Sequence, residues 1–272
     1  GLVGSEMCIR DRSKPANDTA AEFIRRKIAE KVADPVLREK LTPRGHPFAA
    51  RRPSVDSGYF EAFNRPNVEL ADVREAPIEA FTPAGIRTTA KHHDLDMIIF
   101  ATGFDVFTGS LFRTNIVGRG GVTLRHKWAD GPTTHLGVAV AGFPNMLIVS
   151  GPGSPSLLSN VLLSTEEQIE WFARFLSHCE KTGTTFEVEP EAEIAWAEHL
   201  TERVKETLYM TTDSYYNGAE ISGKPRVFMP YSGGVRGYRR ILEKNALEGY
   251  PGFRFMNPAK ADLKRSAQAA RA

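Results

Sequence analysis

Two adjacent arginines, Arg51 and Arg52, begin the segment whose residue types best fit chemistry on an anionic ligand. A proline follows them, and then come Asp56, Gly58 and several aromatic residues, in the order RRPSVDSGYFEAFNR over residues 51–65. A guanidinium group stays charged and offers several N–H donors, so it suits a phosphate or a developing oxyanion. Taken alone, the pair is typical of exposed surface arginines before a proline, and a site that stabilises negative charge is the alternative interpretation.

A second segment, residues 95–103, combines a continuous apolar run with small residues at its end. The run over residues 95–101 predicts a strand buried on both faces, and the Thr-Gly pair that follows predicts a tight turn. Small residues at such a turn let the main chain approach a dinucleotide closely. The residues of interest are Asp96, Ala101, Thr102 and Gly103.

A third segment extends from residue 145 to residue 161. Residues 145–150 predict a second buried strand, the prolines and glycines of residues 151–155 predict a turn, and a helix is expected from Ser164. Strand, glycine turn and helix follow in this order in nucleotide-binding α/β folds. The connecting residues include Ser156, Leu157, Leu158, Asn160 and Val161.

The helix expected from Ser164 has an apolar stripe at helical spacing, and Ser164 with Glu167 matches a capping box. Gly183 is expected to end this helix, and Pro190 to begin another one. A further helix is predicted over residues 17–32. The stripe that we expect to face the core consists of Ile169, Phe172, Ala173 and Leu176.

Composition and charge exclude several classes of protein. The 272 residues are 41% hydrophobic and 25% charged, which is ordinary for a folded domain and argues against disorder. A formal net charge of +2 provides no basic field for nucleic acid, and no apolar stretch is long enough to predict a membrane span. Cys8 and Cys179 make no disulfide framework, which favours a cytoplasmic location, and the histidines lack the spacing of metal ligands.

A fourth segment, SYYNGAEISGKPR over residues 214–226, is rich in aromatic residues and glycines. In their order, the four segments resemble the C-terminal part of Baeyer–Villiger monooxygenases, class B flavin-containing enzymes such as those acting on cyclohexanone and phenylacetone. The resemblance spans roughly residues 15–255. It implies an α/β fold that is the C-terminal part of a flavoprotein with two Rossmann-like dinucleotide-binding domains, for FAD and NADP, without the N-terminal FAD motif.

The resemblance also implies a division of the chain. Residues 1–12 resemble translated sequencing-adapter sequence and are left out of the fold prediction. Residues 13–49 would be a helical remnant, and residues 50–100 would be the end of the NADPH-binding domain. Residues 101–272 would be the C-terminal part of the FAD-binding domain, with the loops that line the substrate pocket and cover the cofactor.

Specific roles follow from the resemblance. Arg52 would be the catalytic residue, lying over the flavin and stabilising the anionic oxygen species and the tetrahedral adduct with the ketone. Arg51 would read the 2′-phosphate of NADPH. The substrate pocket would be lined by Ser156, Leu157 and Leu158. The other residues implied to bind FAD or NADP are Asp56, Asp96, Ala101, Thr102, Gly103, Asn160, Val161, Tyr215 and Lys224.

Two residues depart from the family pattern in the segment that would cover the cofactor. Tyr215 stands where the family usually has tryptophan, and Ser222 stands where it has proline. A tyrosine keeps an aromatic face and a polar tip, but it is smaller than a tryptophan. We therefore expect the contacts of this loop with NADPH to differ from those usual in the family.

Three motifs of the family do not occur in this sequence. They are the two GxGxxG turns that bind the pyrophosphates of FAD and NADPH, and the fingerprint FxGxxxHxxx[WF]P that lies between them. Glycine amides at a helix N-terminus are the main anchor for a dinucleotide phosphate. We therefore expect weak or no FAD binding by this chain alone, and an incomplete sheet that exposes apolar residues.

The expected reaction is oxygen insertion beside a ketone with NADPH and O2, which gives an ester or a lactone. One alternative is a flavin monooxygenase that oxidises nitrogen or sulfur. Another is a catalytically inactive fragment, and a third is a stand-alone nucleotide-binding or interaction module. The sequence indicates no particular ketone and no particular oligomeric state.

Overall fold

The structure is a computed structural model that describes residues 11–155, 158–219 and 221–257. The chain divides into two compact units. The larger unit contains the residues up to 18, residues 46–53 and the residues from 105 onward, and the smaller unit contains residues 19–45 and 54–104. The domain boundaries expected from the sequence stay predictions.

The smaller unit combines helices with a three-stranded antiparallel sheet. Helix α1 begins in the other unit and continues here, as the periodicity of residues 17–32 predicts. Asp34 caps α2, because its carboxylate accepts hydrogen bonds from the N–H groups of Val36 and Leu37. The elements are α1 (Lys14–Lys31), α2 (Pro35–Leu41), α3 (Tyr59–Ala62), β1 (Ile78–Thr82), β2 (Gly85–Thr88) and β3 (His92–Asp94), with the strands in the order β1-β2-β3.

The larger unit is mainly helical and contains a two-stranded antiparallel sheet. Gly183 ends its longest helix in the left-handed conformation, with φ 60°, and Pro190 begins the next helix, both as predicted. The elements are α4 (Gly109–Arg113), α5 (Leu124–Lys127), α6 (Val161–Thr182), β4 (Thr185–Val188), α7 (Pro190–Lys205), α8 (Gly234–Leu247), β5 (Phe253–Met256) and the 3-10 turns Arg119–Gly121, Tyr209–Thr211 and Tyr215–Asn217.

The core of the larger unit is an aromatic cluster on α6. Trp171 and Phe175 are fully buried, and their rings stack with centroids 4.8 Å apart and an interplanar angle of 11°. The ring of Phe253 from β5 lies 4.7 Å from Phe175, and the ring of Tyr250 lies 4.9 Å from it. Buried aromatic rings contribute large apolar areas, so this cluster fixes α6 against the β4-β5 sheet.

A polar chain crosses the same core. The side-chain amide of Gln168 donates to the hydroxyl of Tyr238 at 2.8 Å, and this hydroxyl donates to the carbonyl of Leu136 at 2.6 Å. The amide oxygen of Gln168 accepts from the N–H of Ser150 at 2.7 Å. Because buried polar groups cost free energy when unpaired, these bonds fix α6, α8 and the intervening loop in one arrangement.

The predicted apolar stripe of α6 is wrong in part. Phe172 is buried, but Ile169 and Leu176 are 47% and 49% exposed, and Ala173 is exposed as well. The buried face of the helix carries the stacked tryptophan and phenylalanine rings instead. Both faces have helical spacing, and the face with the larger aromatic area is buried because it removes more apolar surface from water.

The predicted start of α6 is also wrong, since the helix begins at Val161 rather than at Ser164. Asn160 caps it, and its Oδ1 accepts from the N–H of Leu162 at 3.0 Å. The hydroxyl of Ser164 donates to the carbonyl of Asn160 at 3.3 Å, so Ser164 lies inside the first turns. The expected capping box is therefore not formed.

The strand predicted over residues 95–101 is not present, because these residues have no regular structure. Met97, Ile99 and Phe100 are 75%, 82% and 66% exposed. In the part of the chain that the structure describes, no strand pairs with this run, so it lacks the hydrogen bonds of a sheet ladder. Its contacts include the N–H of Leu95, which donates to the carbonyl of Ala84 at 2.9 Å, and the ring of Phe100, which lies 5.4 Å from that of Phe81. This exposure agrees with the expectation that an incomplete sheet leaves apolar residues uncovered.

Residues 145–150 are likewise irregular rather than a strand. Asn145 and Ser150 have positive φ values of 57° and 53°, which a strand does not permit. The side chain of Asn145 accepts from the N–H of Phe186 at 3.1 Å, and the N–H of Ile148 donates to the carbonyl of Val138 at 2.8 Å. Local side-chain and loop hydrogen bonds thus replace a sheet ladder.

Residues 11 and 12, which the sequence assigns to a tail, contact the segment after α7. The N–H of Leu208 donates to the carbonyl of Asp11 at 2.7 Å. The guanidinium of Arg12 lies 3.3 Å from the carboxylate of Glu206. Residues 1–10 lie outside the described residues.

Among the described residues, no helix is both long and apolar enough to cross a lipid bilayer. In the same ranges, the acidic, histidine and cysteine side chains form no group of three that could hold a metal ion. Cys179 is a buried free thiol on α6.

Glu187 joins the β4-β5 sheet to the 3-10 turn at residues 119–121. Its carboxylate is 6% exposed and accepts from Arg119 Nε at 2.7 Å and from Arg254 Nη2 at 3.1 Å. Arg254 is also its direct cross-strand partner. Burial alone would raise the pKa of this carboxyl, but the hydrogen bonds and charges of both arginines outweigh burial and hold the pKa below its ordinary value.

Phe175→Ala is expected to lower the free energy of unfolding by about 3–5 kcal/mol, because it leaves a cavity among stacked rings. Leu176→Ala, at the exposed neighbouring position, is expected to cost less than about 1 kcal/mol. Urea denaturation followed by far-UV circular dichroism measures both. Equal losses for the two variants would contradict the assignment of the buried face.

Glu187→Gln is expected to destabilise the chain by about 2 kcal/mol at pH 7, since it removes charge-assisted hydrogen bonds. The pKa of Glu187 is lower in the folded chain than in the unfolded chain. Its contribution to the free energy of unfolding is therefore complete above the ordinary glutamate pKa, about 4.3, and is lost as the pH falls through the pKa of the folded chain. Denaturation at several pH values should show the two proteins converging in acid. Glu198→Gln, at an exposed position, is the control, and a difference that stays constant with pH would contradict the prediction.

Candidate functional site

One asparagine of α1 anchors the segment that carries Arg51 and Arg52. The Nδ2 of Asn17 donates to the carbonyl of Phe48 at 2.9 Å, and its Oδ1 accepts from the N–H of Phe48 at 2.8 Å. Asn17 and Ala50 are each 1% exposed. The two arginines are exposed and extend from this fixed point.

Asp213 brings Arg51 next to a second arginine. The Nε of Arg51 donates to the main-chain carbonyl of Asp213 at 3.1 Å. The Nη2 of Arg226 lies 2.6 Å from the carboxylate of the same aspartate. Two guanidinium groups with one carboxylate leave a net positive charge, an arrangement that suits a phosphate.

Arg52 lies within electrostatic reach of Tyr216. Burial raises the pKa of the Tyr216 phenol, the hydrogen bond with Tyr215 raises it further, and the positive charge of Arg52 acts in the opposite sense. The rings of Tyr215 and Tyr216 are 4.5 Å apart. The structure thus brings the predicted catalytic arginine and the predicted cofactor-binding tyrosine into one neighbourhood.

Residues 214–219 and 221–226, here called the aromatic loop, begin with a tight turn held by Asn217. This side chain is fully buried, accepts from the N–H of Ser214 at 3.1 Å, and donates to the carbonyl of Thr212 at 2.9 Å. The carbonyl of Tyr216 accepts from the N–H of Met229 at 2.8 Å. These bonds fix the start of the loop on the backbone that follows it.

An apolar cluster lies under the aromatic loop. It consists of Val204, Tyr209, Tyr216 and Phe228, and both Leu158 and Tyr215 pack against it. Leu158, a predicted substrate-pocket residue, therefore packs against the same apolar cluster as Tyr215 of the aromatic loop. Ser156 and Leu157, predicted for the same pocket, lie outside the described residues.

Asn160 and Val161, predicted to lie near the flavin, form the start of α6. Asn160 is the N-cap, Val161 is the first helical residue, and the first turn contains no acidic residue. The adjacent Leu162 and Leu163 are 74% and 52% exposed. The positive end of a 22-residue helix is thus presented beside exposed apolar side chains.

Lys224, predicted to bind the cofactor, is already paired within the chain. Its ammonium lies 2.8 Å from Asp105 Oδ1 and 2.9 Å from Thr108 Oγ1. Burial would raise the pKa of Asp105, but the hydrogen bonds from Lys224 and Thr108 outweigh it and lower the pKa. The cofactor role of Lys224 stays a prediction.

The remaining predicted cofactor residues belong to the smaller unit. Asp56 pairs with Lys31 and also accepts from the N–H of Tyr59 at 2.9 Å, so its carboxylate holds the start of α3. Gly103 has a φ of 79°, as a tight turn requires. Four of these residues are exposed and lie in irregular structure: Asp96, Ala101, Thr102 and Gly103.

Sequence reasoning missed four residues that organise this site, namely Asp105, Asp213, Tyr216 and Asn217. Asn217 carried a local signal, because an asparagine before a glycine predicts a turn. Asp105 pairs with Lys224 and Asp213 with Arg51, partners that lie 119 and 162 residues away along the chain. No pattern in a single sequence indicates such pairs.

Comparison with known proteins gives similar sequences over most of the chain. A Baeyer–Villiger monooxygenase of Pseudooceanicola batsensis is 42% identical over 241 residues, which are 88% of this chain and 43% of that protein. A phenazine N-monooxygenase of Lysobacter antibioticus is 41% identical over 240 residues, 88% of this chain and 44% of that protein. No protein-family model matches the chain.

Solved structures agree with the sequence comparison. The crystal structure of OTEMO in complex with FAD and NADP matches with a TM-score of 0.85 and 38% identity, over 91% of this chain and 46% of that one. The predicted partial α/β fold is confirmed by this match. The chain therefore spans slightly less than half the length of the relatives it matches, and it is a homologue of the Baeyer–Villiger monooxygenases.

Proposed function

We propose that this chain supplies one side of the active site of a flavin-dependent monooxygenase that inserts oxygen beside a ketone, using NADPH and O2. Because the chain spans less than half of its relatives, the activity is proposed for a protein that also contains the remaining part. One observation carries the proposal. The positive charge of Arg52, a permanent cation, acts on the phenol of Tyr216, which packs in one apolar cluster with Tyr215 and Leu158.

The proposed role of Arg52 is to stabilise negative charge on oxygen. A guanidinium keeps its charge at any working pH and directs fixed N–H donors at an oxyanion. The two hydrogen bonds between Asn17 and Phe48 anchor the backbone close to Arg52. This anchoring limits how far the segment must move when negative charge develops on oxygen. Leu158 and the aromatic loop would give the ketone an apolar surface.

The residues present fit parts of FAD and NADP. Asn160 and Val161, at the positive end of α6, would hold the flavin edge, while Arg51 would contact the 2′-phosphate of NADPH, with Arg226 close by at Asp213. When bound, FAD would supply the oxygen transfer and NADPH the hydride. The other proposed contacts are Asp56, Asp96, Ala101, Thr102, Gly103, Tyr215 and Lys224.

Nitrogen oxidation is the second candidate function. It is favoured by the phenazine N-monooxygenase, which is as similar to this chain as the Baeyer–Villiger relative is. A nitrogen nucleophile develops no oxyanion on the substrate, so it has less need of the Arg52 charge. The two candidates therefore predict different outcomes for substitution of this arginine.

We further propose a cytoplasmic location and small-molecule partners, a ketone and O2. The location is supported by the use of cysteine, with two thiols in the sequence and Cys179 buried as a free thiol. The low net charge of +2 supports a small-molecule partner over nucleic acid.

The purified chain is expected to bind FAD weakly or not at all, because it contains no GxGxxG turn to hold the pyrophosphate. Titration of FAD with the chain, followed by the quenching of flavin fluorescence, measures this affinity. The apoprotein of a complete relative serves as the positive control. Tight stoichiometric binding by the chain would contradict the prediction.

Arg52→Ala is expected to lower the rate of ester or lactone formation by about 10²–10³-fold or more, in a protein that joins this chain to the part its relatives add. NADPH oxidation should continue, because hydride transfer does not need this charge. Gas chromatography of the product and the absorbance of NADPH measure the two rates separately.

Arg236→Ala, an exposed arginine on α8, is the matched control and should leave both rates unchanged. A ketone and an aromatic nitrogen heterocycle are offered to the same enzymes. Ester formation that survives the loss of Arg52 would contradict the proposed role. An enzyme that oxidises only the heterocycle would favour the second candidate function.

A further inference from the structure

A buried ion pair ties the aromatic loop to the residue at which the chain re-enters the larger unit. Lys224 of the loop and Asp105 have side chains only 11% and 21% exposed, and their charged atoms are 2.8 Å apart. Asp105 is the first residue of the larger unit after residues 54–104. The pair thus joins two segments that are far apart in sequence.

Thr108 forms hydrogen bonds with both members of the ion pair. Its hydroxyl accepts from Lys224 at 2.9 Å and donates to Asp105 Oδ2 at 2.6 Å, while its N–H donates to Asp105 Oδ1 at 3.0 Å. Thr108 is fully buried. A Cβ at Gly109 would lie 2.9 Å from the Cβ of Asp105, so the glycine leaves room for the carboxylate.

The lysine stem lies beneath the turn that carries Tyr215. Gly218 has a φ of 71°, and a Cβ there would lie 3.3 Å from Cδ of Lys224. The N–H of Lys224 donates to the carbonyl of Ile221 at 3.1 Å. A change in the position of Lys224 would therefore move the turn on one side and Arg226 on the other.

A buried ion pair is weak evidence for a stabilising role, because desolvation of both charges offsets most of their attraction. Its specific effect is geometric, since the ammonium of Lys224 bonds to Asp105 and Thr108 together and is held by both. This geometry sets where the loop lies relative to the Arg51 segment, which contacts Asp213.

We propose that Asp105 is a positioning residue that holds the aromatic loop in place through Lys224. Lys224 then also contributes to cofactor use by placing Tyr215 and Arg226. The importance of this placement for NADPH rests on the proposed function, but the placement itself does not.

Trypsin offers a direct test on the chain as it exists. Lys224 precedes a proline and resists trypsin, whereas Arg226 precedes Val227 and is a cleavage site in the loop. Asp105→Asn and Lys224→Gln are each expected to raise the rate of cleavage after Arg226 about tenfold, because the lost charge-assisted bonds free the loop. Mass spectrometry assigns the cleavage site and the rate.

The double variant is expected to be cleaved no faster than either single variant, since both remove one interaction. Lys224→Arg keeps the charge and should stay within about threefold of the unsubstituted chain. Glu243→Gln removes an exposed pair with Arg239 on α8 and should not change cleavage in the loop. Additive effects of the two single substitutions would overturn the proposal.

Cleavage at distant sites separates loop placement from overall stability. If Asp105→Asn accelerates cleavage after Arg38 and after Arg226 equally, the pair supports the whole fold and the proposal is overturned. If only the loop is cleaved faster, the proposal is supported. Neither rate involves FAD, NADPH or turnover, so failure of the proposed function leaves this result unaffected.

Discussion

Trp171 and Phe175 stack on one face of α6, are both fully buried, and lie in the main apolar cluster of the larger unit. The rings hold the β4-β5 sheet on one side, and the chain from Gln168 through Tyr238 holds α8. Because α6 is fixed along its length, its first residues are fixed as well. The proposed flavin-edge residues therefore depend on aromatic packing about three to four turns away.

Much of the helical structure could be predicted from local patterns, whereas two apolar runs wrongly predicted strands. The end of α6 at Gly183 and the start of α7 at Pro190 follow from the backbone preferences of glycine and proline, which act locally. The apolar runs at residues 95–101 and 145–150 predict strands, but a strand exists only where a partner supplies hydrogen bonds. The buried face of α6 was ambiguous, because two stripes share the same spacing and only packing distinguishes them.

The resemblance to a known family implies Arg51, Arg52 and Tyr215 as site residues, and their roles stay predictions. Several residues that position them were not predictable, because Asn17, Asp105 and Asp213 act through contacts across long stretches of sequence. Asn17 reaches Phe48 across 31 residues, and Asp105 reaches Lys224 across 119 residues. Such contacts depend on tertiary structure, which a single sequence does not encode in any local pattern.

The chain passes from one unit to the other four times, after residues 18, 45, 53 and 104. During synthesis from the N-terminus, residues 19–45 and 54–104 leave the ribosome before α6 does. The smaller unit can therefore become compact while the aromatic core of the larger unit is still being made. Arg51 and Arg52 are among the early residues, yet Asp213 and Tyr216, beside which they lie, are synthesised late. Arg51 and Arg52 are thus synthesised before some of the residues that position them.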